Sequence, residues 1–314
     1  MENNYEEVFI PILIIAFNRP EITKQTFSYI QAARPKKLYI AVDGPRDEVK
    51  GEACLVKKVK KILQNIDWEC QTYYKYNETN EGAELTVSSA ISWVFEKEEY
   101  AIILEDDIIA PLSFLKFAQE LLIRYKDDHR VGIISGNNFT PIHLSDESDY
   151  FFAKYAHSWG WATWKRTWEC FDLNVKIHND HLHNSFLKKI SNSKKEARFY
   201  KKRFETIKRN GPGNNTWDVV ANYILRKQNK INIIPRVNLT SNIGVYGLHA
   251  RGESCFHNLP VDENFTVKHH PKEVKVNTEY DIYHFKEHIL KHQNNLIKRI
   301  INKISKLLVG KKIF

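Results

Sequence analysis

The spacing of apolar positions changes along the chain, and the change divides its first third into alternating elements. Ile10 to Ala16 is a nearly unbroken aliphatic run, the pattern of a strand covered on both faces. Asn18-Arg19-Pro20 ends it and starts a helix over Glu21 to Ala32, since proline is tolerated in a helix's first turn. Lys37 to Val42 predicts a second strand, broken at Asp43-Gly44-Pro45, and Gln71 to Lys75 a third, leading into a turn from Asn77 to Gly82. The following helix carries Ala83, Val87, Ala90, Ile91, Val94 and Phe95 on one face. Tyr100 to Leu104 is another buried strand, and Pro111 opens a helix striped by Leu115, Ala118, Leu122 and Tyr125. Val131 to Ser135 gives one more short strand. Such alternation predicts an α/β domain built on a largely parallel sheet.

Past residue 135 the alternation fades. Trp159, Trp161, Trp164 and Trp168 crowd into ten residues, and the lysine-rich stretch from Lys188 to Lys208 predicts an exposed helix. Val219 to Lys227 reads as a helix, Ile231 to Ile234 as a strand, and Asn238 to Gly244 as a polar loop. These patterns divide the chain into residues 1–135, 136–270 and a tail, 271–314.

Composition narrows the class. With 42% hydrophobic and 27% charged residues among 314, the chain is an ordinary globular protein. Ile12 to Phe17 is far too short to span a bilayer, and no basic segment precedes it as in a signal peptide, so a cytoplasmic location is expected. The cysteines, Cys54, Cys70, Cys170 and Cys255, form no metal-binding spacing and read as thiols of a reducing compartment. The net charge of +9 is uneven: from Asp281 to Phe314 there are eight Lys/Arg against two acids. The remainder is close to neutral, which argues against a nucleic-acid partner. In the tail, Leu296, Ile297, Ile300, Ile301, Ile304, Leu307 and Leu308 recur at helical spacing with Lys298, Arg299, Lys303 and Lys306 between them. That basic amphipathic helix suits peripheral contact with an anionic inner-membrane face through residues 285–314; docking on the protein body is the alternative.

Candidate chemistry centres on Glu105-Asp106-Asp107, three carboxylates at the end of an apolar strand. Ligands of open α/β sheets bind outside such strand ends. Clustered carboxylates favour a bound cation, and their oxygens suit a hard ion such as Mn²⁺ or Mg²⁺. A solvated loop with a helix cap nearby is the plainer reading.

The segment Ile102 to Phe114, with Glu105-Asp106-Asp107 and Pro111 at its centre, resembles the metal-site segment of the GT-A fold glycosyltransferases. Closest in pattern are the N-acetylglucosaminyltransferase I type and the bacterial family-2-like enzymes of surface polysaccharide synthesis. The resemblance implies a Rossmann-like nucleotide-diphospho-sugar transferase fold. Residues 1–135 would then bind the nucleotide sugar and residues 136–270 the acceptor. It makes Asp107 the metal ligand, with Glu105 and Asp106 as donor contacts. Ile14 to Arg19 is similar to the family's first nucleotide-binding strand and turn, bringing in Asn18 and Arg19. Asp43 stands where the family sets an acid against uridine, and Asn80-Glu81-Gly82 resembles the loop before the helix beneath the donor, bringing in Gly82.

Transfer to a sugar hydroxyl also requires a general base. Asn215-Thr216-Trp217-Asp218 resembles the family's Trp-Asp segment, which makes Asp218 the expected base, with Asp172 and Glu205 as rivals. Helix capping by Asp218 is the structural alternative. Trp161, in the tryptophan-rich segment, is the aromatic expected to meet ligand. Tyr246 to His257 resembles a mobile lid whose His249 or Arg251 would meet the diphosphate. The implied activity is metal-dependent, inverting hexosyl transfer from a UDP-sugar to a glycan or lipid-linked acceptor in bacterial envelope polysaccharide synthesis. Two alternatives remain. A sugar-nucleotide nucleotidyltransferase should carry a Gly-rich basic loop after the first strand, where Phe17-Asn18-Arg19-Pro20 stands instead. A non-catalytic membrane-surface protein on the same fold would not need both Asp107 and Asp218.

Overall fold

The aliphatic run near the start forms strand β1 (Ile12–Ala16), and all five of its residues are buried. Successive residues serve opposite faces of the sheet. Ile12, Ile14 and Ala16 join one apolar cluster, and Leu13 and Ile15 join another. The computed structural model of the chain describes residues 7–140, 147–211, 213–245 and 256–291.

After β1 come α1 (Pro20–Ala33), β2 (Lys37–Val42), α2 (Glu52–Leu63), β3 (Gln71–Tyr76), α3 (Ala83–Phe95) and β4 (Tyr100–Glu105). All of these but α2 coincide with elements expected from hydrophobic periodicity; in α2 the buried Val56, Val59 and Leu63 are diluted by four lysines. β5 (Ile108–Ile109), α4 (Leu112–Arg124), β6 (Val131–Ser135), β7 (Tyr150–Ala153), β8 (Trp161–Trp164) and α5 (Lys165–Trp168) follow. The second half adds α6 (Asn184–Ile190), α7 (Lys194–Asn210), α8 (Trp217–Lys227), β9 (Ile231–Pro235), β10 (Ser241–Asn242) and α9 (Thr278–His284).

Eight strands form one sheet in the order β3-β2-β1-β4-β8-β6-β9-β7. β3, β2, β1 and β4 are mutually parallel, β6 is parallel to β9, and β8 and β7 run antiparallel to their neighbours. The fold is thus mixed α/β with a mainly parallel sheet, Rossmann-like in its first half. The sheet continues across residue 135, because β8 inserts between β4 and β6.

Two sequence expectations change here. The tryptophan-rich segment is itself a sheet strand: Trp161 packs in one core cluster while Ala162 and Trp164 pack in the other, as period 2 requires. The lysine-rich stretch is two helices rather than one. Ser193 caps α7, its Oγ accepting from the Glu196 amide at 3.1 Å, and Glu196 reaches back to the Asn192 amide at 2.7 Å. That Ser-x-x-Glu signal closely follows a capping box. Glu196, Tyr200, Phe204 and Ile207 bury one face of α7 against α8 and α6.

Among the described residues no helix is long and apolar enough to cross a membrane. The three described cysteines, Cys54, Cys70 and Cys170, are free thiols. The tail from residue 292 onward, including the expected amphipathic helix, lies outside the described residues.

Candidate active site

From β1 the chain moves to β2 on one side, while β4 lies on the other, so the carboxyl ends of β1 and β4 frame the crevice where sheet order reverses. Two turns meet there. Arg19, from the turn after β1, pairs with Asp106 through one guanidinium arm, and its Nη1 lies 3.0 Å from Asp107 Oδ2. Asp106 is 3% exposed and also accepts from the Phe17 amide and the Thr23 hydroxyl, both at 3.5 Å. It therefore ties the acidic turn to β1 and α1. Asp107 is also buried, at 8% exposure. Its backbone carbonyl accepts from the Ile243 amide at 2.9 Å, beside the short antiparallel β5–β10 ribbon. Gly244 leaves room for its carboxylate, since a Cβ there would stand 2.0 Å from Asp107 Oδ2.

Desolvation, then the negative charges of Asp107 and Asp106, push the Glu105 carboxyl up to about 8, with Arg19 opposing and Asp218 adding to the rise. Burial likewise raises Asp106, against the pull of Arg19. Desolvation works against the charge on Arg19, but Asp106 and Asp107 outweigh it and hold its pKa above the ordinary value.

Asp107 and its neighbours offer hard oxygen ligands, and a cation, the Arg19 guanidinium, already sits against them. The donor chemistry therefore suits Mn²⁺ or Mg²⁺. Among the described residues no group of three or more His, Cys, Asp or Glu side chains converges as metal ligands. An ion here would complete its shell with phosphate oxygens and water, as Mg²⁺ usually does.

Asp43, at the end of β2, is turned inward. Its carboxylate accepts from the amides of Gly44 (2.9 Å), Glu81 (3.0 Å) and Gly82 (3.1 Å) and from the side chains of Asn77 (3.0 Å) and Asn80 (2.8 Å). Five donors on one carboxylate make Asp43 the organiser of the loop before α3. Gly82 enters that loop at φ +82°, a conformation glycine adopts without strain. The Asn18 amide donates to Glu52 at 2.8 Å, and Glu52, paired with Arg46, is held down to about 2.

Asp218 is exposed in the first turn of α8. The adjacent Trp217 amide donates to Glu84, in the first turn of α3, at 2.5 Å. Sequence reasoning passed over Glu84; its signal was an acid at a helix start, where orphan amides attract negative charge. Trp161 is 2% exposed and stacks on Trp217 with ring centroids 5.7 Å apart. Both line a cavity of about 200 Å³, together with Asp218, Trp159, Tyr155, Tyr200, Arg203, Asn222, His157 and His284. The acidic turn does not line this cavity. Asp218 belongs to its wall and is also felt electrostatically by Glu105. His157, buried between Phe139 and His284, is pushed down to about 3 by desolvation and by His288. His249 and Arg251, expected in a lid, lie outside the described residues.

No protein-family model and no curated protein matches the chain. Among solved structures it is similar to the mannosyltransferase PcManGT from Pyrobaculum calidifontis in complex with GDP-Man and Mn²⁺, at 11% identity and TM-score 0.33, over 49% of this chain and 44% of that one. It is similar to S. aureus TarS at 12% identity and TM-score 0.33, over 50% of this chain and 47% of that one. It is also similar to HddC from Yersinia pseudotuberculosis at 8% identity and TM-score 0.31, over 50% of this chain and 78% of that one. The chain thus spans less than half the length of the first two, and the functional reading rests on the site's own residues.

Proposed function

We propose that this protein is a nucleotide-sugar glycosyltransferase of the GT-A type, metal-dependent and inverting. It would move a hexose such as GlcNAc from a UDP-sugar to a glycan or lipid-linked acceptor of bacterial envelope polysaccharide synthesis. The observation that carries this reading is the meeting of Arg19, Asp106 and Asp107 at the sheet's switch point, with Asp218 near enough to raise the Glu105 pKa.

In this reading Asp107 holds Mn²⁺ or Mg²⁺, which when bound supplies Lewis-acid charge for the departing diphosphate. Glu105 contacts the donor, Asp106 contributes by holding Arg19 in place, and Arg19 is the protein cation for the donor phosphates. The loop held by Asp43 shapes the floor beneath the nucleotide. Asp218 accepts the proton of the acceptor hydroxyl as that oxygen attacks the anomeric carbon and the bond to the diphosphate breaks. The aromatic cavity beside Asp218, with Trp159, Trp161 and Trp217 in its wall, suits the apolar face of an acceptor sugar.

The test separates binding from chemistry. In Asp218→Asn, UDP with Mn²⁺ should bind as in wild type by calorimetry, while sugar transfer falls by about 10²-fold or more. Unchanged transfer in that variant would remove Asp218 from the base role.

A further inference from the structure

The near-neutral remainder of the chain conceals a second concentration of charge. Residues 188–209 carry ten Lys/Arg against two acids, Glu196 and Glu205, and Glu196 is buried. In α7 the buried residues Glu196, Tyr200, Phe204 and Ile207 fall on one side of the helix. At 100° per residue, Lys194, Lys195, Arg198, Lys201, Lys202 and Arg209 fall on the opposite side, and all six are exposed. Among the described residues none of the six pairs with a carboxylate. The row extends along a helix of about 25 Å.

We propose that this outward face of α7 is an electrostatic docking surface for a bilayer rich in anionic lipid. Four features favour a membrane over a discrete anion. The six side chains project from one exposed helix face. Lysine predominates, a point charge suited to a diffuse negative surface, where arginine would serve bidentate recognition. Six positive charges recur on this side between Lys194 and Arg209 against one exposed acid, Glu205, and their attraction sums near an anionic leaflet. Finally, Tyr200 and Arg203 of the same helix line the cavity that carries Asp218. The lysine row is on the far side of α7 from Tyr200, so a membrane held there would lie one helix width from the cavity that a lipid-linked acceptor would enter. This last point rests on the reading of the site given above; the docking itself does not.

The experiment is vesicle co-sedimentation of the full chain, without donor or turnover, so its failure is distinguishable from failure of the enzymatic reading. Vesicles of phosphatidylcholine alone are compared with vesicles containing phosphatidylglycerol, at low and high salt. Wild type should bind only the anionic vesicles, with binding falling steeply as salt rises. Lys194→Gln/Lys195→Gln/Lys201→Gln/Lys202→Gln should weaken that binding at least about tenfold, while Lys57→Gln/Lys58→Gln on α2, also exposed, should bind as wild type. Circular dichroism checks that both variants fold, and the salt dependence of wild type tests the proposal without any variant. Equal binding to both vesicle types would overturn it, as would anionic-vesicle binding that survives the fourfold change. Binding to soluble heparin with none to vesicles would replace the membrane by a soluble polyanion.

Discussion

Arg19 holds Asp106 and Asp107 at once, one guanidinium arm on each, with Nη1 3.0 Å from Asp107 Oδ2. One cation therefore neutralises two carboxylates that the fold has drawn out of water. In Arg19→Ala both lose their counter-charge, a loss of about 3–5 kcal/mol for a buried pair. The melting temperature should fall by roughly 10 °C on the scale of a domain this size. Millimolar Mn²⁺ should then raise the melting temperature of Arg19→Ala more than that of wild type, because the ion replaces the missing charge. Equal Mn²⁺ shifts in the two proteins, measured by scanning calorimetry, would place the ion elsewhere.

Gly244 is fixed by proximity to the same carboxylate. A Cβ there would overlap Asp107 Oδ2 at 2.0 Å, with Arg19 Nη1 only 3.0 Å away. Gly244→Ala must displace one of them, at an overpacking cost of about 1–3 kcal/mol. Donor hydrolysis should drop at least about tenfold for that displacement, with an unchanged circular dichroism spectrum. Wild-type kinetics in Gly244→Ala would show that the position of Asp107 is not critical.

Asp43 makes a contrasting prediction, because its five hydrogen bonds point into the protein. Asp43→Ala strands several partly buried donors and should destabilise the protein by at least about 2 kcal/mol. Hydrogen exchange at the amides of Glu81 and Gly82 should accelerate well beyond the change elsewhere, and Asp43→Asn should fall between the two. Uniform exchange across the domain would remove the loop-organising role.

The acid limb of stability should carry the signature of His157. Its folded-state pKa is pushed down to about 3 by burial, so below its unfolded value the unfolded chain binds a proton that the native state does not. Stability from this group is complete above about pH 6.5 and is lost progressively as pH falls toward 3, amounting to about 2 kcal/mol at pH 5. His284, also pushed well below its ordinary value by burial, adds to the same trend. Chemical denaturation at pH 7.5 and pH 5 should therefore show a smaller loss for His157→Phe than for wild type. Parallel losses would indicate that His157 is protonated in the native state.

Much of this architecture was legible because buried parallel strands announce themselves as aliphatic runs, and β1 and β4 could be read with the turns that follow them. The acidic turn was legible as a strand-end cluster. Its pairing with Arg19 depends on β1 and β4 being neighbours, which no local pattern encodes. Asp43 illustrates the limit differently: an acid after a strand looks the same whether it faces a ligand or collects the amides of Gly82 and Glu81. β8 escaped notice because four residues, Trp-Ala-Thr-Trp, are too few to establish a period. The break between α6 and α7 is encoded by Ser193 and Glu196, a capping signal set within a run dominated by lysine.

If Asp107 holds the ion, turnover of a nucleotide sugar depends on a divalent metal and on this carboxylate together. A panel of UDP-sugars incubated with wild type and Asp107→Asn, with Mn²⁺ or with EDTA, tests it by the rate of UDP release. Wild type should release UDP from at least one donor, only with the divalent ion, and Asp107→Asn should be slower by at least about 10²-fold. No metal-dependent release from any donor, or equal rates in the two proteins, would contradict it.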